Sequence, residues 1–323
     1  MKILLIGDPH FKINNAVETS KLHLETLELI KKNNYDFAVI LGDILDTHEK
    51  IHVQPLVRST NYIIDISKKI KVYVLIGNHD RINNDDYLSK LHPFIALKFV
   101  ENVVIVDDVL EENNFIFVPY VPPGKFIDAL KTIDFNGDNK QQIIFAHQEF
   151  KGAKMGPFIS EKGDVWPKHY PIVFSGHIHD FQIIQKNVIY PGTPFQHGYH
   201  DGEEKYLFNL QIDKNYNYNL EKVIIETIKR KRILQINMEQ LTNYQNDENY
   251  DTKLIIDGDG KIIKKMLVNN KQGIKKYKIR DTTFLKSDNL DKKNLNFEQN
   301  LNEKIDKLEQ YDRDIFVKIQ DQR

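Results

Sequence analysis

Five short apolar runs in the first 190 residues share one pattern. Each run ends in a small residue and is followed by Asp, Asn or His side chains, as in "ILLIGDPH", "FAVILGDILD", "VYVLIGNHD", "IIFAHQE" and "IVFSGHIHD". Apolar runs without alternation are typical of strands that are buried on both faces. The pattern therefore predicts five buried strands with polar residues at their carboxyl ends.

Amphipathic stretches at about 16–32 and 53–69 lie between the first three runs and predict helices. Alternation of strand and helix favours βαβ units and a largely parallel sheet. In open α/β sheets ligands bind beyond the carboxyl ends of the strands, where all the polar clusters fall. From about 181 to 226, shorter β runs predict antiparallel strands that close a second sheet. We therefore expect an α/β protein, a two-sheet sandwich flanked by helices.

The pattern changes after "KRKR" at 229–232. The stretch "DTKLIIDGDGKIIKKMLVNNKQGIKKYKIRD" predicts strand, helix and strand, and so a small α/β cap domain. The last segment places apolar residues at helical spacing among many charges, which predicts a C-terminal helix with one apolar face. The predicted division is 1–227 for the main domain, 228–290 for the cap domain and 291–323 for the C-terminal helix.

Composition narrows the class of protein. The chain has 323 residues, 41% hydrophobic and 28% charged, enough for one large core and a smaller unit. Without cysteine, a transition metal must be held by His, Asp, Glu or Asn. No apolar run approaches the ~20 residues of a membrane span, and no signal sequence is evident, so we expect an intracellular protein without membrane association. A net charge of −1 leaves only local basic patches for contact with nucleic acid.

The polar residues at the strand ends form a candidate metal site. His177 and His179 are one residue apart, and alternate residues of an extended segment point to the same side. The candidates are too many for one catalytic zinc, which uses three protein ligands. Two ions that share a carboxylate would use seven, and such a site suits phosphoryl displacement, with Asp43 as the natural bridge. The candidates are Asp8, His10, Asp43, Asn78, His79, His147, His177 and His179.

In this order, the motifs "DPH", "GDILD", "GNHD", a lone His and "GHIH" resemble those of the calcineurin-like metallophosphoesterases. Within that family the chain is most similar to the nuclease subunits of double-strand-break repair, the SbcD type and the phage recombination exonuclease subunit. The supporting features are "GNHD", the "YPGTPF" turn after "GHIH", and the small domain and terminal helix that follow. The motifs cover residues 8–195, and the likeness beyond about 228 is one of layout.

The resemblance implies a site for two divalent metal ions, most often Mn²⁺. Asp43 would bridge the ions, and His79, not itself a ligand, would protonate the leaving oxygen. One ion would be held by a first ligand group, namely Asp8, His10 and His179. The other would be held by a second ligand group, namely Asn78, His147 and His177.

The same resemblance implies an activity and partners. The expected activity is that of a DNA phosphodiesterase, an exonuclease or endonuclease, in which a metal-bridging hydroxide attacks phosphorus. The expected partners are DNA and an ABC-type ATPase with a long coiled coil, which would dock on the helix at 291–323. A homodimer is an open alternative. The cellular location would be the cytoplasm, nucleoid or nucleus, and a viral origin is compatible with it.

Substrate contacts are less defined by the sequence. Certain repair nucleases of the family have a histidine three residues after the bridging Asp, where this chain has Asp46. Whether His48 or His52 substitutes for it is left open. Arg81 follows "GNHD" and either meets backbone phosphates or is a solvated loop charge. His197 follows "GTPFQ" near the expected mouth of the cleft and is a further candidate.

Two other functions remain open at this stage. One is a phosphatase or phosphodiesterase for small molecules or phosphoproteins, although "GDILDTHEK" lacks the arginine that protein phosphatases of the family carry there. The other is a non-catalytic adaptor on the same fold. An adaptor need not bind two ions, so the metal content of the purified protein would distinguish it.

Overall fold

The chain forms two compact units. The first comprises Met1–Arg232 and Asp247–Asp251, and the second comprises Ile233–Asn246 and continues from Thr252. The predicted domain limits stay a prediction, and the predicted helix at 291–323 lies outside the described residues. The computed structural model describes residues 1–48, 50–137, 139, 141–269, 274 and 276–282.

The first sheet consists of six strands in the order β14-β13-β1-β2-β3-β4. These strands are β1 Lys2–Ile6, β2 Phe37–Ile40, β3 Lys71–Leu75, β4 Val103–Val106, β13 Leu207–Ile212 and β14 Tyr218–Val223. The four strands β1 to β4 are parallel. β13 pairs antiparallel with β1 and with β14.

The second sheet also has six strands, in the order β11-β12-β10-β7-β6-β5. These are β5 Leu110–Glu112, β6 Phe115–Val118, β7 Ile143–His147, β10 Ile172–Gly176, β11 Gln182–Gln185 and β12 Val188–Tyr190. The central strands β6, β7, β10 and β12 are parallel. The edge strands β5 and β11 run antiparallel to their neighbours.

Short elements connect these strands in the first unit. The α-helices are α1 Ala16–Lys32, α2 Val53–Ser67 and α3 Phe126–Leu130. The 3-10 helices are Ile13–Asn15, Ile95–Phe99 and Lys131–Ile133. A two-stranded hairpin is formed by β8 Lys154–Met155 and β9 Phe158–Ile159.

An apolar layer lies between the two sheets. Leu5 and Val39 of the first sheet pack in one cluster with Phe117, Phe145 and Phe174 of the second. All five side chains are fully buried. Burial of a side chain of this size stabilises the folded state by about 1.5–3 kcal/mol, so this layer holds the two sheets together.

The outer faces of both sheets are covered as well. Leu4 of β1 belongs to a cluster with Leu22 of α1 and Ile63 of α2. On the second sheet, Ile144 packs in a cluster with Trp166. Both faces of the central strands are therefore buried, which is the reason that the apolar runs in the sequence show no alternation.

The two predicted helices are confirmed, with α1 at Ala16–Lys32 and α2 ending two residues earlier than expected, at Ser67. The prediction that the strands between 181 and 226 close one second sheet is correct for β11 and β12. It is wrong for β13 and β14, which extend the first sheet from its β1 edge. The apolar pattern of a strand does not state which partner it will pair with.

The second unit contains a three-stranded sheet in the order β15-β16-β17. Its strands are β15 Arg230–Asn237, β16 Tyr250–Gly258 and β17 Tyr277–Asp281, and its helices are α4 Met238–Thr242 and α5 Gly260–Asn269. The predicted succession of strand, helix and strand corresponds to β16, α5 and β17, and the two strands are parallel. Among the described residues, no helix has the length and apolarity that crossing a membrane requires.

Candidate metal centre

The predicted ligands lie at the carboxyl ends of parallel strands from both sheets. Each of these strands is hydrogen-bonded within its sheet, so the packing of the core fixes where the strand ends. Asp8 and His10 follow β1, Asp43 follows β2, Asn78 and His79 follow β3, His147 ends β7, and His177 and His179 follow β10.

The atoms of the second ligand group converge. Asn78 Oδ1 lies 3.1 Å from His147 Nε2 and 3.0 Å from His177 Nδ1. Ligand atoms of Asp43, His147 and His177 all lie within 4.8 Å of one another. Metal–ligand bonds are about 2.0–2.2 Å long, so two ligand atoms of one ion lie at most about 4.4 Å apart. The 3.0 and 3.1 Å distances around Asn78 are within this limit.

The orientation of His147 is set by the backbone of the neighbouring sheet. Its Nδ1 donates a hydrogen bond to the carbonyl oxygen of Leu41 at 2.7 Å. His147 Nε2 is therefore the atom that an ion can use. Hydrogen bonds of this kind fix the ring orientation of histidine ligands in metal sites.

The first ligand group is less closely assembled. His10 Nε2 and His179 Nε2 lie 3.1 Å apart. The Asp8 carboxylate instead accepts the backbone N–H of His177, at 3.0 and 3.1 Å from its two oxygens. In the described part of the chain, three such ligand atoms come within 4.8 Å of one another only around Asp43 and the second ligand group.

Asp43 lies between the two ligand groups. Its Oδ1 is 3.3 Å from His147 Nε2, and its Oδ2 is 3.6 Å from His10 Nε2. The backbone N–H of His79 donates to Oδ1 at 2.9 Å, which holds the carboxylate in this orientation. One carboxylate with an oxygen toward each group has the geometry of a bridging ligand.

Unusual backbone conformations direct three of the predicted ligands. His10, Asp43 and His177 have φ angles of 43°, 47° and 82°. This left-handed region is uncommon for residues other than glycine. Such conformations persist where the surrounding structure compensates for them, and they are frequent at functional sites.

The glycines that precede the polar clusters have a steric role. A Cβ atom at Gly42, where φ is +103°, would collide with the ring of His147. A Cβ atom at Gly77 would collide with Asp43. The absence of a side chain at these strand ends therefore lets the backbone approach the ligands closely.

The buried carboxylates and imidazoles influence one another strongly. Burial raises the pKa of Asp8. Although burial alone would raise it, the pKa of Asp43 is held well below its usual range by the His147 ring beside it. Burial opposes protonation of His147, yet the adjacent Asp43 and Asp8 raise the pKa of this imidazole. A positive charge is thus favoured at this point, and either a proton on His147 or a divalent cation supplies it.

The imidazoles of the first ligand group are suited to metal binding in another way. Burial lowers the pKa of both His10 and His179. Both rings are therefore neutral at neutral pH and keep a lone pair for an ion. The donor set as a whole contains carboxylates, one amide and imidazoles, which fits Mn²⁺ or another hard or borderline divalent cation.

His79 lies next to the two ligand groups and has different contacts. Its Nδ1 donates to the carbonyl oxygen of Asp46 at 2.8 Å. Its ring meets the ring of His10 edge to face, with the centroids 5.0 Å apart. The side chain is only partly buried. His79 Nδ1 is thus engaged by the backbone, and Nε2 is the ring nitrogen left for other contacts.

The predicted substrate contacts near His79 occupy different environments. His48 stacks on His79, with the ring centroids 4.7 Å apart and the planes 20° from parallel. His52 is exposed at the start of α2. Arg81 is only 2% exposed, and its Nη1 lies 3.5 Å from the carbonyl oxygen of Ser89, so it is not a solvated loop charge.

His197 lies deeper than the sequence indicated. Its Nε2 is 3.0 Å from the carbonyl oxygen of Asp8. The centroid of its ring is 4.9 Å from that of His10 and 5.5 Å from that of His179. His197 therefore packs against both histidines of the first ligand group.

Asp80 has a structural role that the sequence analysis did not assign. Its carboxylate accepts the backbone N–H groups of Ile44, Leu45 and Gly77 at 3.1, 2.9 and 3.0 Å. It thereby joins the segment after Asp43 to the end of β3. In the sequence, the only indication of this role was the position of Asp80 as the final residue of the "GNHD" motif.

Glu149 is a second residue that the sequence analysis missed. Its Oε2 lies 3.9 Å from His177 Nε2, and its Oε1 accepts the hydroxyl of Ser160 at 2.5 Å. The nearby His177 ring lowers the pKa of the Glu149 carboxyl. Glu149 is thus an ionised outer partner of a predicted ligand, and only its position two residues after His147 hinted at this.

The calcineurin-like phosphoesterase family matches residues 1–181, which is more than half of the chain. This chain belongs to the calcineurin-like phosphoesterase family. Members of the family are enzymes that use divalent metal ions, and the buried cluster around Asp43 is where this calcineurin-like phosphoesterase has residues to hold one.

Curated relatives of the chain are viral proteins. It is 40% identical over 225 residues to "Putative phosphoesterase 078R" of Invertebrate iridescent virus 3, across 68% of this chain and 65% of that protein. It is 45% identical over 213 residues to "Putative phosphoesterase 244L" of Invertebrate iridescent virus 6, across 65% of this chain and 75% of that protein. The chain thus spans less than two thirds of the length of 078R.

Among solved structures, the chain is similar to a nuclease named MPE from Pseudomonas putida. The sequence identity is 15% and the TM-score is 0.32, over 67% of this chain and 85% of the nuclease. Similarity at this level says nothing about the substrate of the calcineurin-like phosphoesterase described here.

Proposed function

We propose that this chain is a phosphodiesterase that uses two divalent metal ions, most often Mn²⁺, to cut DNA as an exonuclease or endonuclease. The observation that carries the proposal is the position of Asp43, with Oδ1 3.3 Å from His147 Nε2 and Oδ2 3.6 Å from His10 Nε2. A pair of ions that share a carboxylate suits the in-line displacement of a phosphoryl group. The motif resemblance to the SbcD-type repair nucleases supports DNA as the substrate.

In this proposal, Asp43 would bridge the ions and the two ligand groups would complete their coordination. When bound, such ions polarise phosphoryl oxygens and lower the pKa of a water molecule. The chain itself keeps the ligands in place. The Leu41 carbonyl orients His147, and the backbone N–H of His79 orients Asp43.

His79 would act as the proton donor. The Asp46 carbonyl accepts the hydrogen on His79 Nδ1, which orients the ring and leaves Nε2 for a substrate. A proton on Nε2 would pass to the oxygen of the departing group. General acid catalysis of this kind contributes roughly 10²- to 10⁴-fold to the rate.

A cleavage panel tests the substrate class. Purified protein with added Mn²⁺ would be incubated with linear duplex DNA, single-stranded DNA, RNA and bis(p-nitrophenyl) phosphate, with Asp43→Ala protein as the control. We expect cleavage of at least one form of DNA above that of RNA, and none by the control. Hydrolysis of only the chromogenic diester would instead favour a small-molecule substrate.

We also propose an ABC-type coiled-coil ATPase as the partner, docked through the segment 291–323. The support is the helical spacing of the apolar residues in that segment. A pull-down of the ATPase encoded in the same genome would compare the full chain with residues 1–290. We expect the truncated chain to lose association and to keep cleavage of short single-stranded DNA. Undiminished association refutes the docking role. A change from two chains to one chain per particle on truncation would point to a homodimer.

A further inference from the structure

An apolar pocket of ≈ 260 Å³ lies directly beside His79. This volume is below the roughly 300 Å³ at which pockets for drug-sized ligands begin, so it suits a single small ring system. Three of the apolar side chains in its wall, those of Ile51, Ile82 and Leu91, are also partly open to solvent. The apolar part of the wall consists of Leu45, Ile51, Ile82, Leu91 and Pro93.

The pocket shares His79 with the proposed catalytic site. A proton donor must come within hydrogen-bond distance of the leaving oxygen. The group attached to that oxygen therefore lies on the His79 side of the scissile bond. His79 also lines the pocket, so we place the departing part of the substrate against it.

Arg81 also lines the pocket. Its Nε and Nη2 have no hydrogen-bond partner among the described residues, but both atoms are fully buried and so do not face an occupant. The carboxylates of Asp86 and Asp80 act on the charge of Arg81. The pocket therefore suits an uncharged apolar group better than a second phosphate.

We propose that this pocket binds the nucleobase of the departing nucleotide. The proposal rests on the proposed function and adds recognition of one base on the leaving side of the scissile bond. The flat apolar faces of a base match the aliphatic wall of the pocket. The base is the apolar part of a nucleotide, so it is the part that a pocket of this composition would take.

A first test measures cleavage of dinucleoside monophosphates whose base is replaced by hydrogen on one side or on the other. In the wild type, loss of the leaving-side base should lower kcat/KM by about tenfold, as expected for the stacking of one base. Loss of the opposite base should have little effect. Leu91→Ser should remove most of the advantage of the base, so that the ratio of kcat/KM with and without the leaving-side base falls toward one.

Leu91 and Leu24 form a matched pair for this test. Leu91 is 58% exposed and lines the pocket, whereas Leu24 is 65% exposed on α1, away from it. Both sites tolerate serine without loss of core packing. Leu24→Ser should therefore behave as the wild type. Equal behaviour of the two variants overturns the proposal, as does an equal rate with and without either base.

A second test does not require cleavage. Saturation-transfer NMR with dAMP and with deoxyribose 5-phosphate would report which ligand protons touch the protein. We expect strong transfer to the base protons H2 and H8, weakened by Leu91→Ser and unchanged by Leu24→Ser. Transfer limited to the sugar refutes the pocket. If no phosphodiester is cleaved at all, the proposed function fails, and this measurement still decides the pocket.

Discussion

The two ligand groups differ in how far the protein itself has arranged them. In the second group, Asn78 Oδ1 lies 3.1 and 3.0 Å from ring nitrogens of His147 and His177. In the first group, His10 and His179 face each other at 3.1 Å, but Asp8 accepts the backbone N–H of His177. The second group thus has its donors assembled, and the first has its carboxylate bound to the backbone.

The histidines of the two groups differ in what holds them. His147 is the last residue of β7, so the sheet and the Leu41 carbonyl hold it directly. His10 and His179 lie on loops beyond β1 and β10, and contacts with other segments hold them. One of these is the hydrogen bond from Lys205 Nζ to the His179 carbonyl, at 2.6 Å. Because a preorganised site pays less for ordering its ligands, we expect the second group to bind its ion more tightly.

The largest effect is expected from Asp43→Ala, which removes the carboxylate that faces both ligand groups. Both ions should be lost or greatly weakened, and cleavage should fall by more than roughly 10³-fold, since metal ions supply several kcal/mol of transition-state stabilisation. Metal analysis under saturating Mn²⁺, with wild-type protein in parallel, provides the measurement. A wild-type chain that binds at most one ion would contradict the two-metal interpretation.

His79→Ala should separate the chemistry from both ligand groups. This variant should keep its Mn²⁺ content and its DNA affinity, and lose cleavage by roughly 10²- to 10⁴-fold. Single-turnover cleavage rates and metal content, measured on the same preparation, test it. Cleavage close to the wild-type rate would remove His79 from the mechanism.

The variants His147→Ala and His10→Ala test whether the second ligand group binds its ion more tightly than the first. His147→Ala should abolish the tighter Mn²⁺ site, with a loss of affinity of about 100-fold or more, because it deletes a ligand rather than an outer partner. His10→Ala should leave that site close to the wild type and remove the weaker one. Calorimetric titration with Mn²⁺ resolves the two classes of site. If His10→Ala weakens the tighter site instead, the ranking of the two groups is wrong.

A smaller effect is expected from the outer partners of each group. Glu149→Gln should weaken the ion of the second group by about tenfold, the low end for such partners, because Glu149 Oε2 is as far as 3.9 Å from His177 Nε2. Lys205→Met should act similarly on the ion of the first group alone, through His179.

Surface residues provide the controls for this pair. Lys222 and Glu112 form ion pairs with Glu204 and Lys71, and both lie away from the ligands. Lys222→Met and Glu112→Gln should leave Mn²⁺ titrations unchanged. Equal loss at both ions in either Glu149→Gln or Lys205→Met would show that the two groups do not act separately.

Most of the architecture near the site was predictable from short-range pattern. The apolar runs of β1, β2 and β3 are contiguous because the sandwich buries both faces of each strand. The amphipathic spacing of α1 and α2 follows from their packing on one side of the first sheet. Ligand identities were readable for the same reason, since a strand end places its next residues at one edge of the sheet.

Long-range pairing was not predictable in the same way. β13 pairs with β1, which lies some two hundred residues earlier in the chain, and this changes which sheet β13 and β14 extend. The alternation of apolar residues in β13 is compatible with either sheet. The choice depends on which edge is free once the other strands are in place.

By itself, the sequence determined the order of the strands and helices, the residue types at the strand ends, and through them the membership of a phosphoesterase family. Only the tertiary structure decided that Asp43 points one oxygen toward each ligand group, that Glu149 meets His177, and that a pocket forms against His79. The physical reason is that these features are distances between side chains from separate elements. Such distances depend on how the two sheets pack and on backbone conformations such as the positive φ of Asp43, which residue types alone do not specify.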